Sequence, residues 1–208
     1  MESMWILGGS GDVGRAVGAR FGAEGWDVFL SARTPARLDA AVRELESAGV
    51  EAEGIRLDAA DRERLDDGVD ALAARTDELT ALVYNVGPQA ADGEEEFSSF
   101  LEHTALGLQR ALRGLESRGM LPDHVVVTTS SKARDPSRVS VEYHAAKQAA
   151  FAVARAFAAT TELTATVLWL GRRGTEDDWR WLHPEEMAEK AWESYLTRPE
   201  ELLVGDLY

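Results

Sequence analysis

Tyr143 and Lys147 stand four residues apart in a segment that reads Tyr-His-Ala-Ala-Lys. Residues with this spacing share one face of a helix and lie close together. A tyrosine with an ordinary pKa of about 10 is a poor acid or base at neutral pH, but a nearby ammonium stabilises its phenolate. The pair therefore predicts proton transfer at the oxygen of a carbonyl or alcohol group while a second agent moves hydride.

A serine lies upstream of this pair, where it can hydrogen-bond the same substrate oxygen. The apolar run Val125–Val127 leads into Thr128-Thr129-Ser130-Ser131. We expect this segment to end a central strand, where α/β sheets present their ligand-binding groups. Either Ser130 or Ser131 can take this role, and the spacing to Tyr143 favours Ser130.

A glycine-rich turn follows the first short apolar run, Trp5-Ile6-Leu7, and leads directly into a helical pattern. Glycines at such a turn let backbone N–H groups approach a diphosphate, and the helix N-terminus adds partial positive charge. A tight turn without a ligand is the alternative. Asp12 is discordant, since its carboxylate repels a diphosphate unless the side chain points away. The predicted cofactor loop comprises Gly8, Ser10, Gly11, Asp12, Val13 and Gly14.

The end of the second strand candidate indicates which dinucleotide binds. Proteins that bind NAD place an acid there against the ribose 2′-hydroxyl. This chain instead has Ser31-Ala32-Arg33. The Arg33 guanidinium can hold a 2′-phosphate, with help from Arg15, so the sequence favours NADP(H) over NAD(H). An exposed helix-cap arginine is the alternative interpretation of Arg33.

Composition excludes several other functions. The net charge of −15 disfavours nucleic-acid binding, and the absence of cysteine with only four histidines argues against a metal site. No apolar run reaches the length of a membrane span and no leader segment is visible, so we expect a cytoplasmic protein. Lysine is scarce beside arginine, as in proteins of salt-loving organisms; an ordinary acidic surface encoded by a high-GC genome is the alternative.

Short apolar runs alternate with amphipathic stretches throughout the chain, which predicts βα units and one domain over residues 1–208. We expect a Rossmann-type, doubly wound parallel β-sheet flanked by helices, a three-layer α/β/α fold. The predicted strands are Met4–Leu7, Asp27–Ser31, Gly54–Leu57, Ala81–Asn85, His124–Thr129, Thr164–Leu170 and Leu202–Val204. The predicted helices span residues 13–24, 35–48, 61–75, 94–118, 142–160 and 184–196.

Together these motifs resemble the short-chain dehydrogenase/reductase family over nearly the whole chain. The resemblance rests on Gly8-x-x-Gly11-x-x-Gly14, Tyr84-Asn85-Val86-Gly87, Tyr143-x-x-x-Lys147 and Leu170-Gly171-x-x-x-Thr175. It implies that Asp58 contacts adenine and that Lys147, beside Tyr143, holds the nicotinamide ribose. It further implies cofactor contacts from Asn85, Gly87, Gly171 and Thr175.

Several positions depart from the family pattern. Leu7 replaces a threonine, Asp12 a glycine, Tyr84 an asparagine and Leu170 a proline. Thr104 stands where many members have an asparagine that extends a proton relay through water. The neighbouring His103 receives no role, because a lone helical histidine is more often a surface or packing residue.

The sequence therefore predicts an NADP(H)-dependent carbonyl reductase or alcohol dehydrogenase that acts on a small molecule through Ser130, Tyr143 and Lys147. A non-catalytic NADP(H)-binding protein that reports redox state is the alternative, and a purely structural module is a third. By resemblance, the fourth and fifth predicted helices form a four-helix interface with a twofold mate, giving a homodimer or homotetramer.

Overall fold

A parallel sheet forms the centre of the protein, which we describe from a computed structural model over residues 1–87, 97–171 and 183–205. Seven strands pair in the order β3-β2-β1-β4-β5-β6-β7, with every pairing parallel. This order is that of a doubly wound sheet and confirms the predicted fold class. The strands are β1 Ser3–Leu7, β2 Asp27–Ala32, β3 Ala52–Arg56, β4 Ala81–Tyr84, β5 His124–Ser130, β6 Thr164–Leu170 and β7 Glu201–Val204.

Helices cover both faces of the sheet. Side chains on one face, such as Ile6 and Val83, pack with the first, second and last helices, while Leu7 and Leu82 pack on the other face with the remaining helices. Because both faces are covered, β1, β4 and β5 are buried almost throughout rather than at alternate residues. The helices are α1 Asp12–Gly22, α2 Pro35–Ser47, α3 Arg62–Ala73, α4 Phe97–Leu101, α5 Gly107–Ser117, α6 Val141–Thr160 and α7 Pro184–Thr197.

One predicted helix is wrong in its details. The sequence predicted a continuous helix over residues 94–118, whereas a π-helical turn, Glu102–Leu106, separates α4 from α5. Residues 94–96 of that prediction lie outside the described residues. The periodicity of apolar residues cannot reveal a single π-helical turn within a helix of 3.6 residues per turn, because the buried face of the helix continues through that turn. Two short 3₁₀ turns, Ser131–Arg134 and Pro136–Arg138, also connect β5 to α6.

The doubly wound order brings the carboxyl ends of β1, β2, β4 and β5 to the same edge of the sheet. The chain reverses its winding direction between β1 and β4, and such a point opens a crevice for ligands. In the parts of the chain that the structure describes, no helix has the length and hydropathy needed to cross a membrane.

His124, at the opposite edge, is fully buried and predicts how stability depends on pH. Thr164 Oγ1 donates to Asp123 O, so it accepts from His124 Nδ1 at 2.8 Å, and Nδ1 carries a proton. Burial, with a smaller contribution from Arg198, lowers the pKa of His124 from 6.5 to about 3. The unfolded chain therefore takes up a proton that the folded chain excludes, and stability present above pH 6.5 is lost as the pH falls toward 3.

We expect the free energy of unfolding to fall by about 2 kcal/mol more between pH 7.5 and 5 in the wild type than in His124→Asn. The asparagine keeps a donor for Thr164 Oγ1 but has no titrating group. Urea unfolding at a series of pH values measures both proteins. Identical pH slopes would show that His124 is protonated in the folded state.

Candidate functional site

A cavity of about 240 Å³ opens at the carboxyl edge of the sheet, where the ligand crevice is expected. It extends from the glycine loop after β1, past the end of β2, to the segments that follow β3 and β4. Its walls are Gly8, Ser10, Ser31, Ala32, Arg33, Thr34, Arg37, Leu57, Asp58, Ala59, Asn85, Val86, Gly87 and His103. Six of the predicted cofactor residues thus border one space: Gly8, Ser10, Arg33, Asp58, Asn85 and Gly87.

Asn85 holds the glycine loop against the sheet. Its side-chain amide donates to Gly8 O at 3.3 Å and accepts from the Thr128 hydroxyl at 2.7 Å. Gly8 has a φ of +79°, and a Cβ there would lie 2.4 Å from Asn85 O. A side chain at position 8 would therefore be strained and would clash with the backbone after β4.

The rest of the loop packs beneath the cavity. Gly11 caps α1 and exposes the helix N-terminus, while Val13 is buried in the core. A Cβ at Gly14 would lie 2.7 Å from Gly8 O, so this glycine permits close packing of helix and loop. Val13 and Gly14 support the loop from below and are not part of the cavity wall.

The Asp12 carboxylate points away from the cavity. It pairs with Arg15 at 3.1 Å, and Arg15 also contacts Glu44 at 3.0 Å. This geometry removes the conflict between the Asp12 carboxylate and the diphosphate predicted to bind this loop. It also removes Arg15 from the predicted role beside Arg33, because its guanidinium is held by two carboxylates outside the cavity.

Two arginines line the end of the cavity next to β2. Arg33 follows the strand directly, and Arg37 lies on the first turn of α2. Both are exposed, and neither forms an ion pair with a described residue. The sequence analysis found Arg33 but missed Arg37. The signal in the sequence was that Arg37 lies four residues after Arg33 at the predicted start of a helix, a spacing that puts both side chains at the same end of that helix.

Lys147 lies at the other end of the site and is almost completely buried. Its ammonium lies close to Gly87, where a Cβ would be 2.6 Å from Nζ. Burial alone lowers the pKa of Lys147 to about 8, since no carboxylate or hydrogen bond within the described residues contributes. A buried ammonium without a partner is costly, so this position is suited to a polar ligand.

Tyr143 shares a helix face with Lys147, as the sequence predicted. Ser140 caps α6 by accepting from Tyr143 N, and the tyrosine ring packs edge-on against Phe100 at a centroid distance of 5.8 Å. Lys147 Nζ lies 5.5 Å from the centre of the Tyr143 ring. The fold thus brings a phenol and an ammonium together at the start of α6.

The two candidate serines have different surroundings. Ser130 ends β5, is half-buried, and its Oγ accepts from Lys132 N at 3.3 Å. Ser131 is buried and begins the following 3₁₀ turn. Side chains two apart along a strand share a face, so Ser130 lies on the same side of β5 as Thr128, which bonds Asn85. This placement favours Ser130.

The remaining predicted residues lie at the same edge. Asp58 borders the cavity after β3, and one of its carboxylate oxygens accepts from Ala60 N at 3.1 Å. Gly171 follows β6, where its N–H donates to Val204 O. Thr175 lies outside the described residues.

Tyr84, a departure from the family pattern, is compensated by the π-helical turn. Its buried hydroxyl donates to His103 O at 2.7 Å. Desolvation raises the pKa of Tyr84 far above its ordinary value, so the hydroxyl stays protonated and remains a donor. A Cβ at Gly107 would lie 2.2 Å from this hydroxyl, so the glycine provides the space that it needs.

Thr104, the other departure, belongs to the same turn. Its hydroxyl lies 2.6 Å from Phe100 O and 3.2 Å from Ala146 O, and the side chain is buried. Thr104 therefore links the π-helical turn to α6, next to Lys147. Its side chain is engaged by backbone carbonyls on both sides.

Comparison with known protein families assigns the chain. Residues 2–167 match the family described as short chain dehydrogenase. The protein therefore belongs to the short-chain dehydrogenases, a family of oxidoreductases, as the sequence motifs indicated. A comparison with curated protein sequences gave no significant match.

Solved structures share the fold over the whole length. An alcohol dehydrogenase from the archaeon Thermococcus sibiricus, complexed with 5-hydroxy-NADP, has a TM-score of 0.84 and 25% identity, covering 98% of this chain and 96% of that one. A variant of actinorhodin polyketide ketoreductase with NADPH has a TM-score of 0.85 and 22% identity, covering 98% and 95%. A metagenomic short-chain oxidoreductase in complex with NADP has a TM-score of 0.81 and 19% identity, covering 100% and 98%.

We expect Tyr84→Phe to lower the free energy of unfolding by about 1–3 kcal/mol, because it leaves the buried His103 carbonyl without its donor. Tyr195→Phe is the matched control. It removes an exposed hydrogen bond to Glu2 and should cost less than about 0.5 kcal/mol. Urea denaturation measures both, and equal small losses would mean that the π-helical turn does not need the Tyr84 hydroxyl.

Proposed function

We propose that the protein is an NADP(H)-dependent oxidoreductase that interconverts a small carbonyl compound and its alcohol. One observation carries the proposal. Within the described residues, Arg33 and Arg37 at one end of the site form no ion pair, and the buried Lys147 ammonium beside Tyr143 at the other end has no carboxylate or hydrogen-bond partner. A dinucleotide with a 2′-phosphate has groups suited to both ends. The full-length likeness to structures that contain NADP or NADPH supports the proposal.

The glycine loop fits the diphosphate of such a cofactor. A Cβ at position 8 would clash with the Asn85 backbone, so only glycine fits at this point of the loop. Gly11 has no side chain to cap α1, so the N-terminus of this helix is uncovered at the loop. Backbone N–H groups and the helix dipole can then face the phosphates directly. The Asp12 carboxylate, turned toward Arg15, leaves this approach open.

Lys147 and Tyr143 supply the proton chemistry in this proposal. When bound, the cofactor supplies or accepts the hydride. Lys147 would hold the nicotinamide ribose hydroxyls, and its positive charge would stabilise the Tyr143 phenolate. Tyr143 gives its proton to the carbonyl oxygen during reduction and takes it back from the alcohol in the reverse direction. Ser130 donates to the same oxygen and orients it.

Arg33 and Arg37 favour NADP(H) over NAD(H). Both guanidiniums can reach a phosphate on the ribose that follows β2, and charge-assisted bonds of this kind are about twice as strong as neutral ones. The surrounding wall contains Thr34 and Ser31 but no acid at the end of β2. A ribose 2′-hydroxyl, in contrast, would lack its usual carboxylate partner.

We also propose a homodimer or homotetramer. Along the α4–α5 segment and α6, Phe97, Leu106 and Val141 are exposed apolar side chains. Burying them against the same segments of a second copy would give the twofold interface expected from the family resemblance.

Arg33→Ala should weaken NADPH binding by about tenfold to a hundredfold while leaving NADH binding nearly unchanged, because it removes a charge-assisted contact to the 2′-phosphate. Arg43→Ala is the control, since Arg43 is exposed on α2 outside the cavity. Titrations followed by tryptophan fluorescence and thermal shift give the dissociation constants. An equal loss for both nucleotides would contradict a 2′-phosphate contact.

Tyr143→Phe should reduce turnover of carbonyl substrates at least a hundredfold, while NADPH binds within about threefold of the wild type. The ring is retained and only the proton donor is lost. Steady-state rates and binding titrations on the same preparation separate the two effects. A wild-type protein that binds NADPH but reduces none of a broad carbonyl panel would favour the non-catalytic redox-sensing function instead.

A further inference from the structure

His103 borders the cofactor cavity although sequence reasoning gave it no role. Its ring is held in place, because Nδ1 lies 2.8 Å from Ser99 O. A carbonyl oxygen only accepts hydrogen bonds, so Nδ1 carries a proton, which leaves Nε2 as the ring's acceptor atom. Among the described residues, none hydrogen-bonds Nε2, which is not sealed from solvent. The cavity therefore contains a fixed, unused acceptor.

The backbone that carries His103 is fixed as firmly as its ring. Tyr84 Oη donates to His103 O, and the histidine belongs to the π-helical turn defined above. That turn and α5 pack on the segment after β3. A Cβ at Gly107 would lie 2.7 Å from Ala59 O, and Arg110 donates to Ala60 O at 3.3 Å. His103 consequently stands on the same wall of the cavity as Asp58 and Ala59.

Because His103 Nε2 is a hydrogen-bond acceptor, its partner on the nucleotide must be a hydrogen-bond donor. Phosphate oxygens carry no hydrogen and repel the Nε2 lone pair. The 6-amino group of adenine has two N–H donors, and both acceptors on this wall suit them. One oxygen of Asp58 accepts from Ala60 N, which leaves the other oxygen for one N–H. Nε2 of His103 remains for the second.

We propose that His103 Nε2 accepts a hydrogen bond from the adenine 6-amino group, so that His103 and Asp58 together select adenine. This inference rests on the proposed function, because it assumes that a nicotinamide–adenine dinucleotide occupies the cavity. His103 is here a specificity residue that acts through binding. It takes no part in the proton transfer at Tyr143.

The test uses NADPH and its hypoxanthine analogue, in which a carbonyl oxygen replaces the 6-amino group. The dissociation constants of both are measured by fluorescence titration for the wild type, His103→Phe and His103→Ala. His183→Phe is the matched control, since His183 precedes α7 outside the cavity. NADH is titrated in parallel to report on the 2′-phosphate contact.

We expect the preference for NADPH over the hypoxanthine analogue to fall about fivefold in both His103 variants, as for the loss of one neutral hydrogen bond. The preference for NADPH over NADH should stay unchanged, and His183→Phe should match the wild type. An unchanged base preference in a folded His103 variant overturns the proposal, as does a changed NADPH-to-NADH ratio. If the wild type binds no NADPH, the proposed function itself fails.

Discussion

The Asn85 side chain joins three strands at the edge where the candidate site forms. It bonds the Gly8 carbonyl after β1 and the Thr128 hydroxyl of β5, while its own backbone continues β4. Gly8 holds its left-handed turn because the Asn85 backbone packs against it at a distance that no side chain permits. The loop, the floor of the cavity and the start of the wall beside Lys147 all depend on this amide.

The departures from the family pattern form one coupled arrangement rather than separate losses. Tyr84 needs room for its hydroxyl, Gly107 provides it, and the widened turn offers the His103 carbonyl as an acceptor. The same turn places Thr104 against α6 and His103 in the cavity wall. A large polar side chain in the core is thus satisfied by a backbone irregularity, and that irregularity helps to shape the site.

The sequence predicted the sheet, its winding and six of the fourteen residues that line the cavity, because glycine turns, apolar strands and the Tyr143–Lys147 spacing are local signals. It did not predict the π-helical turn, since the contact between Tyr84 and His103 joins residues 19 positions apart. Arg37 and His103 were missed for a related reason. Their types and positions are ordinary on a helix, and only the folding of β2, β3 and β4 to one edge brings them into the cavity.

The Asp12–Arg15–Glu44 group shows how this chain separates its charges. The molecule carries a net charge of −15, yet no carboxylate in the described part of the chain pairs with the guanidiniums of Arg33 and Arg37 at the cavity. An anionic nucleotide would then be repelled by the net negative charge at long range and attracted by the arginines at close range. Dissolved ions screen interactions between charges that are farther apart than a Debye length of about 8 Å. They therefore weaken the repulsion between the nucleotide and the distant acidic surface more than its attraction to the nearby arginines. For the nucleotide binding proposed above, we therefore expect ionic strength to have two opposed effects on the association rate, which should be highest at an intermediate salinity rather than in dilute buffer.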